Sequence, residues 1–241
     1  MSLSKATIRS VTALHQKKFR QMYGKFLVEG QKSVAELINS SFQIDTVYAT
    51  HDWKNHAKAP VELVSQEELR RLSTMSEPDE VIAVALIPAA QKIYRKGGWY
   101  IACDGINDPG NAGTILRIAD WFGLDGVFFS ENSVDIFNPK TVSAAKGSLF
   151  RVAYEQVSLK NLFETERPDV FGAVMDGQSI YQENVKPEGV LLLGNEANGI
   201  SEDMSTYITH QISIPRFGQA ESLNVAVAAG ILVSEFSRKK L

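Results

Sequence analysis

Apolar residues along the first ninety positions recur in two different spacings. Ile8, Val11 and Leu14 stand three apart, as one face of a helix requires, and Val34, Leu37 and Ile38 line a face of a second helix. Between them Phe26-Leu27-Val28 predicts a short strand, and Phe42 to Tyr48 predicts another. Ser65, followed three residues later by Glu68, has the capping-box pattern and predicts a helix through Leu72. Val81 to Ile87 is an apolar run suited to a buried strand. From Pro88 to Gly98 both periodicities break, and Lys92, Arg95 and Lys96 precede a closing glycine pair, which marks a linker.

Beyond the linker the alternation is clearer. Trp99 to Cys103 predicts a strand, Ala112 to Phe122 a helix, and Gly126 to Phe129 a second strand. Val170 to Met175 and Val190 to Leu193 are short runs of the kind buried on both faces of a parallel sheet, and Gln211 to Ile214 leads into a long helix from about Ser222 to Arg238. Strands alternating with helices predict an α/β fold with a parallel sheet, whose ligands lie beyond the carboxyl ends of the strands. The predicted division is a small α/β domain over residues 1–90, a linker over 91–98 and the parallel-sheet domain over 99–241.

Composition sets bounds on this picture. The chain has 241 residues with 44% hydrophobic content, enough for a packed core in one large or two modest domains. It lacks a signal-peptide pattern and a run long enough to span a bilayer, so a cytoplasmic location without membrane contact is expected. Cys103 is the only cysteine, which excludes an intrachain disulfide and a zinc cluster, and it reads as a buried strand residue. His15, His51, His56 and His210 are scattered, and no metal site is expected. The net charge of −3 is not that of a nucleic-acid binder, yet its distribution is uneven. Lys5, Arg9, Lys17, Lys18, Arg20, Lys25 and Lys32 share the first segment with one acidic residue, Glu29, and with Phe19, Tyr23 and Phe26. Such a segment suits a phosphate backbone; a solvated helix face with its aromatics turned inward gives the same pattern.

Candidate chemistry lies in three stretches at strand ends. In the first, Asp108-Pro109-Gly110 forces a turn, Asn111 is placed to cap the following helix, and Arg117 lies six residues further along it. A guanidinium fork suits phosphate, and a structural salt bridge uses the same donors. The second is Gly194-Asn195-Glu196, and the third is Ile214-Pro215-Arg216-Phe217-Gly218-Gln219-Ala220-Glu221-Ser222-Leu223-Asn224-Val225. Gly105, Gly110 and Gly113 lack the dinucleotide spacing, Gly194 to Gly199 lacks the Lys-Ser/Thr of a P-loop, and no Gly-x-Ser-x-Gly elbow occurs.

The stretches Asn107 to Arg117, Leu193 to Ile200 and Ile214 to Val225 resemble, in order and separation, the three motifs of the SpoU (TrmH-like) RNA 2′-O-ribose methyltransferases of the SPOUT superfamily. Phe122-Gly123, Asn138-Pro139-Lys140 and Ala145-Lys146-Gly147 extend the likeness, and Lys17 to Glu36 resembles the substrate-binding domain of many members. The resemblance implies a methyltransferase domain with a C-terminal trefoil knot, which composition alone does not suggest. It implies S-adenosylmethionine as cofactor, held around Leu193, Gly194, Asn195, Ile214, Gly218 and Leu223. It also implies a homodimer with its site at the subunit interface. Arg117, Asn111, Glu196, Ser222 and Asn224 are the implied catalytic residues, and Lys17, Lys18, Arg20 and Lys25 the RNA-binding ones. The separate N-terminal domain favours ribosomal over transfer RNA. A tRNA 2′-O-methyltransferase, a base-nitrogen methyltransferase and a non-catalytic RNA-binding or ribosome-assembly factor are the other classes. Arg216 stands where many members have Met, bringing a further positive charge to the cofactor or RNA entrance, or only a solvent-facing replacement.

Overall fold

The computed structural model describes residues 3–51, 53, 60–182 and 188–238; His56 lies outside them. Contacts divide the chain into two compact units, one of residues 1–89 with 135–151, the other of residues 90–134 with 152–241.

The first unit runs α1 (Lys5–Ala13), α2 (Lys17–Tyr23), β1 (Lys25–Glu29), α3 (Gln31–Ile38), β2 (Ile44–Ala49), β3 (Val61–Leu63), α4 (Gln66–Leu72) and β4 (Val81–Leu86). Among the described residues its strands form a four-stranded sheet of order β1-β4-β2-β3. The β4 strand is antiparallel to both β1 and β2. The Ser65 capping box forms as the sequence predicts, with its hydroxyl accepting from the Glu68 N–H and the Glu68 carboxylate accepting from the Ser65 N–H. Val11, Leu14, Leu27, Leu69, Leu72 and Ile82 share one buried core. The segment 135–151 joins this unit through Phe137, whose ring lies 4.7 Å from that of Phe26, and Phe150, 5.2 Å from Phe42.

Arg20 is the keystone of that segment. It is 1% exposed. Its Nε and Nη2 donate to Asp135 Oδ2 at 2.9 and 2.7 Å, and its Nη1 donates to the carbonyls of Leu14 and His15 at 2.8 and 3.0 Å. This corrects the sequence reading of Arg20 as an RNA-binding cation, because its donors are spent inside the unit. Lys25 is half-buried and paired with Asp45 at 2.8 Å, whereas Lys17 and Lys18 are exposed.

The second unit contains β5 (Trp99–Cys103), α5 (Pro109–Phe122), β6 (Gly126–Ser130), β7 (Tyr154–Val157), α7 (Leu159–Glu166), β8 (Val170–Ser179), β9 (Gly189–Leu193), α8 (Glu202–Ser205), β10 (His210–Ser213) and α9 (Val225–Arg238). The remaining helix, α6 (Pro139–Ala145), belongs to the segment above. Among the described residues the sheet has six strands in the order β10-β8-β9-β5-β6-β7, all in parallel pairs. Every residue of β5, β6 and β9 is buried, as strands covered on both faces must be. Trp99 of β5 holds the far end of α9 through Phe236, ring centroids 4.6 Å apart, and both rings pack against Phe171.

Two helix starts differ from the sequence reading. The α5 helix begins at Pro109, because Asp108 rather than Asn111 is its cap: the Asp108 carboxylate accepts from the Asn111 N–H at 2.8 Å. The α9 helix begins at Val225 rather than near Ser222, because Asn224 Oδ1 accepts from the N–H groups of Ala226 and Val227 at 2.9 and 3.3 Å.

Breaking the Arg20 pair leaves the half-buried Asp135 carboxylate without its cation and empties a buried site, so Arg20→Ala should lower the unfolding free energy by about 3 kcal/mol. Lys17→Ala should stay within about 0.5 kcal/mol of wild type. Denaturant unfolding measures both, and equal small losses would contradict the assignment.

Candidate functional site

The three stretches follow β5, β9 and β10, so parallel pairing places all of them at the carboxyl end of one sheet. Because Asp108 takes the capping role, the Asn111 side chain is free to bridge the other two. Its Nδ2 donates to Glu196 Oε1 at 2.7 Å, and its Oδ1 accepts from Asn224 Nδ2 at 2.9 Å. One amide thus joins residues 85 and 113 positions away.

A second amide fixes the loops beneath. Asn195 Nδ2 donates to the Gly105 carbonyl at 2.7 Å, while its Oδ1 accepts from the N–H groups of Ala197 and Asn198. The Asn195 side chain is therefore committed to loop geometry. Asn195 and Gly199 also exchange two backbone hydrogen bonds, at 2.9 and 2.8 Å. A Cβ on Gly194 would sit 2.1 Å from Gly199 C and Ile200 N, so glycine here is required by the loop's own return path.

Several contributors were not legible as site residues. Buried Asp104 accepts from the Ser201 N–H at 2.8 Å. Ser130 and Ser133, also buried, accept from the N–H groups of Gly105 and Ile106 at 2.8 and 3.2 Å. These partners lie 25 or more residues away, and their only local signal is small polar residues beside strand ends. Cys103 is wholly buried, and burial pushes its thiol well above the ordinary range, with Glu196 and Asp104 adding to the effect. It stays protonated at neutral pH and is no nucleophile. His15 meets the Leu72 carbonyl at 2.8 Å and His210 stacks on Phe171, so both have structural work.

The other candidates are placed but not joined. Arg117 is exposed, and six residues at about 100° each put it roughly a third of a turn away from the Asn111 face. Among the described residues no hydrogen bond or ion pair involves its guanidinium. Ser222 and Gly218 are exposed in the third stretch, Ile214 is half-buried and Leu223 is 49% exposed. Among the described residues the main chain of 214–223 makes no backbone–backbone hydrogen bond, and only its Ala220 carbonyl accepts from a side chain, that of Arg216, which leaves its other N–H and C=O groups open to a ligand. An open cleft of ≈ 670 Å³, lined by Asn111, Thr114, Tyr181, Asn224, Val227 and Ile231 among others, adjoins the bridged amides.

A parallel α/β unit whose polar residues converge beyond the strand ends is a ligand-binding architecture, and its sequence lacks the nucleophile elbow of an α/β-hydrolase. Residues 98–234 match the SpoU rRNA Methylase family model, and residues 5–83 match the MRM3-like substrate binding domain. The chain belongs to the SpoU rRNA methylase family. It is 31% identical over 232 residues to the 23S rRNA (guanosine(2553)-2′-O)-methyltransferase RlmP of Bacillus subtilis, covering 91% of each chain. A TrmH-family protein from Porphyromonas gingivalis superposes with a TM-score of 0.89 at 34% identity, over 99% of this chain and 100% of that one. The SpoU methyltransferase AviRb from Streptomyces viridochromogenes, solved with its cofactor AdoMet, gives 0.88 at 25% identity over 98% of both.

Gly194→Ala places a methyl group against main chain that cannot yield. It should cost about 1–3 kcal/mol in unfolding free energy, measured by denaturant titration. A neutral substitution would show that the 194–200 loop is held differently.

Proposed function

We propose that this chain transfers the methyl group of S-adenosylmethionine to a ribose 2′-hydroxyl of ribosomal RNA. The observation that carries this is the hydrogen-bonded line Glu196–Asn111–Asn224, which gathers the three family stretches at one end of the parallel sheet. RlmP, alike over nearly the whole chain, supports ribosomal RNA as the substrate, and the AdoMet-bound AviRb supports the cofactor.

The residues fit the cofactor. Main-chain groups of Gly194, Ile214, Gly218 and Leu223 are the groups that would hold it, with Leu193 and Leu223 as apolar cover, and the open backbone groups at 214, 218 and 223 meet that need. Bound S-adenosylmethionine supplies an electrophilic methyl whose departure from sulfur needs no acid. The burden on the protein is the 2′-hydroxyl, a poor nucleophile until it loses its proton. A guanidinium is a fork of donors with no acceptor, so Arg117 acts as a cation rather than a literal base. It anchors a phosphate of the substrate and stabilises negative charge growing on the 2′-oxygen as the methyl bond forms, while the hydroxyl proton passes to solvent water. Asn111 and Glu196 hold the loops in register, and Asn224 and Ser222 place the ribose. In the first unit Lys17 and Lys18, exposed beside Phe19, are the cations that would bind RNA.

The knot belongs to the same proposal, with the 214–224 crossing supported by the Asn224–Asn111 bond. So does a homodimer: Trp121 and Val227, 85% and 52% exposed on α5 and α9, are apolar surface that a second copy would cover, completing the site around Arg117. Light scattering should report twice the monomer mass for wild type and a monomer for Val227→Glu; a monomeric wild type would refute the dimer. No helix among the described residues is long and apolar enough to cross a membrane. A cytoplasmic location is part of the proposal, and recovery of the protein with the membrane fraction would contradict it.

The test uses labelled S-adenosylmethionine and large-subunit rRNA from a strain lacking the gene. Label should appear in a 2′-O-methylnucleoside, and Arg117→Lys, which keeps the charge but loses the planar fork, should lower kcat about 100-fold or more with cofactor affinity unchanged. Near-normal turnover by Arg117→Lys, or label in a base, would overturn the mechanism.

A further inference from the structure

The third stretch carries a pair of side chains that neither the fold nor the proposed chemistry uses. Phe217 is 97% exposed, more than any other large apolar residue among those described. Arg216 beside it is exposed, and among the described residues its guanidinium makes one hydrogen bond, donating to the Ala220 carbonyl at 3.4 Å. Pro215 fixes the backbone just before them. A Cβ at Gly218 would meet nothing within 4 Å, so the space around the next residue is open as well.

The neighbours decide between partners. Arg216, Gly218 and Gln219 are all exposed, and none is a large apolar residue. The core of a protein interface is poor in charge and rich in clustered apolar groups, which this tip is not. A flat ring beside a cation is the combination that holds single-stranded nucleic acid. Every base offers a face to stack on, and the cation takes the adjoining phosphate. The pair lies in the loop that ends in Ser222 and Asn224, within a few residues of the groups assigned to the ribose.

We propose that Phe217 and Arg216 form a nucleotide clip, Phe217 stacking on an unpaired base of the RNA substrate and Arg216 binding the phosphate beside it. The inference rests on the RNA-methylating reading of the site and deepens it, since it requires an unpaired nucleotide at the site. Phe217 is a positioning residue, not a catalytic one.

The test compares wild type, Phe217→Ala, Phe217→Trp and Arg216→Ala on large-subunit rRNA from a strain lacking the gene. Filter binding and methyl transfer are the readouts, and calorimetry with S-adenosylmethionine is the control. Phe217→Ala should raise the RNA Kd and KM about 5- to 100-fold with kcat and cofactor affinity nearly unchanged, and Phe217→Trp should restore them. Arg216→Ala should reduce the slope of log K against log salt by about 0.7. If wild type methylates this RNA while Phe217→Ala keeps Kd and KM within twofold, or weakens only cofactor binding or dimerisation, the clip is overturned alone. A wild type that binds S-adenosylmethionine but neither binds nor methylates the RNA overturns the reading of the site, and the clip with it.

Discussion

The arrangement turns on one side-chain amide that donates and accepts at once. Asn111 can hold Glu196 with its nitrogen and Asn224 with its oxygen only because it has no duty at the helix terminus. Asp108 carries that duty, and Pro109 starts the helix one residue later without needing a donor. A hydrogen bond in an exposed setting contributes only about 1 kcal/mol, so the line does not hold the fold together. Its role is geometric: it fixes the relative positions of three loops that the sheet merely brings near each other.

The sheet makes that economy possible. β5 and β9 are neighbours, and β10 lies two strands beyond β9, so every loop at their carboxyl ends falls within side-chain reach of one cleft. The Phe236 ring on Trp99 anchors the far end of α9, while Asn224 both caps its near end and reaches Asn111. Asn195 works the same way one layer down, binding Gly105 across from the first loop. Loop positions are thus set by amides that satisfy backbone and side chain together, leaving the Ile214 to Leu223 main chain open for a ligand.

What was legible in the sequence is what local spacing encodes. The apolar strands at Trp99, Val190 and Val81, the Ser65 capping box and the three-stretch pattern all rest on residues a few positions apart. Asn111 looked like a cap because asparagine is a good one; with Asp108 directly before Pro109, the aspartate wins that position. Arg20 looked like part of a basic surface because its partner, Asp135, is 115 residues away. The grouping of residues 135–151 with the N-terminal unit was hidden for the same reason. Short elements such as β3 and α8, of three and four residues, offer too few positions for any period to register. Within the site, the motif glycine at 194 was legible as a glycine but not as one crowded by Gly199 and Ile200.

In this SpoU-family chain long-range amides join three loops at one end of the parallel sheet. The proposal that the site they form methylates a ribose of ribosomal RNA is tested most directly by mapping 2′-O-methylation across total RNA from cells with and without the gene. The account predicts loss of one or a few ribose methylations confined to ribosomal RNA. An unchanged ribosomal map, or a loss found only in transfer RNA, would contradict it.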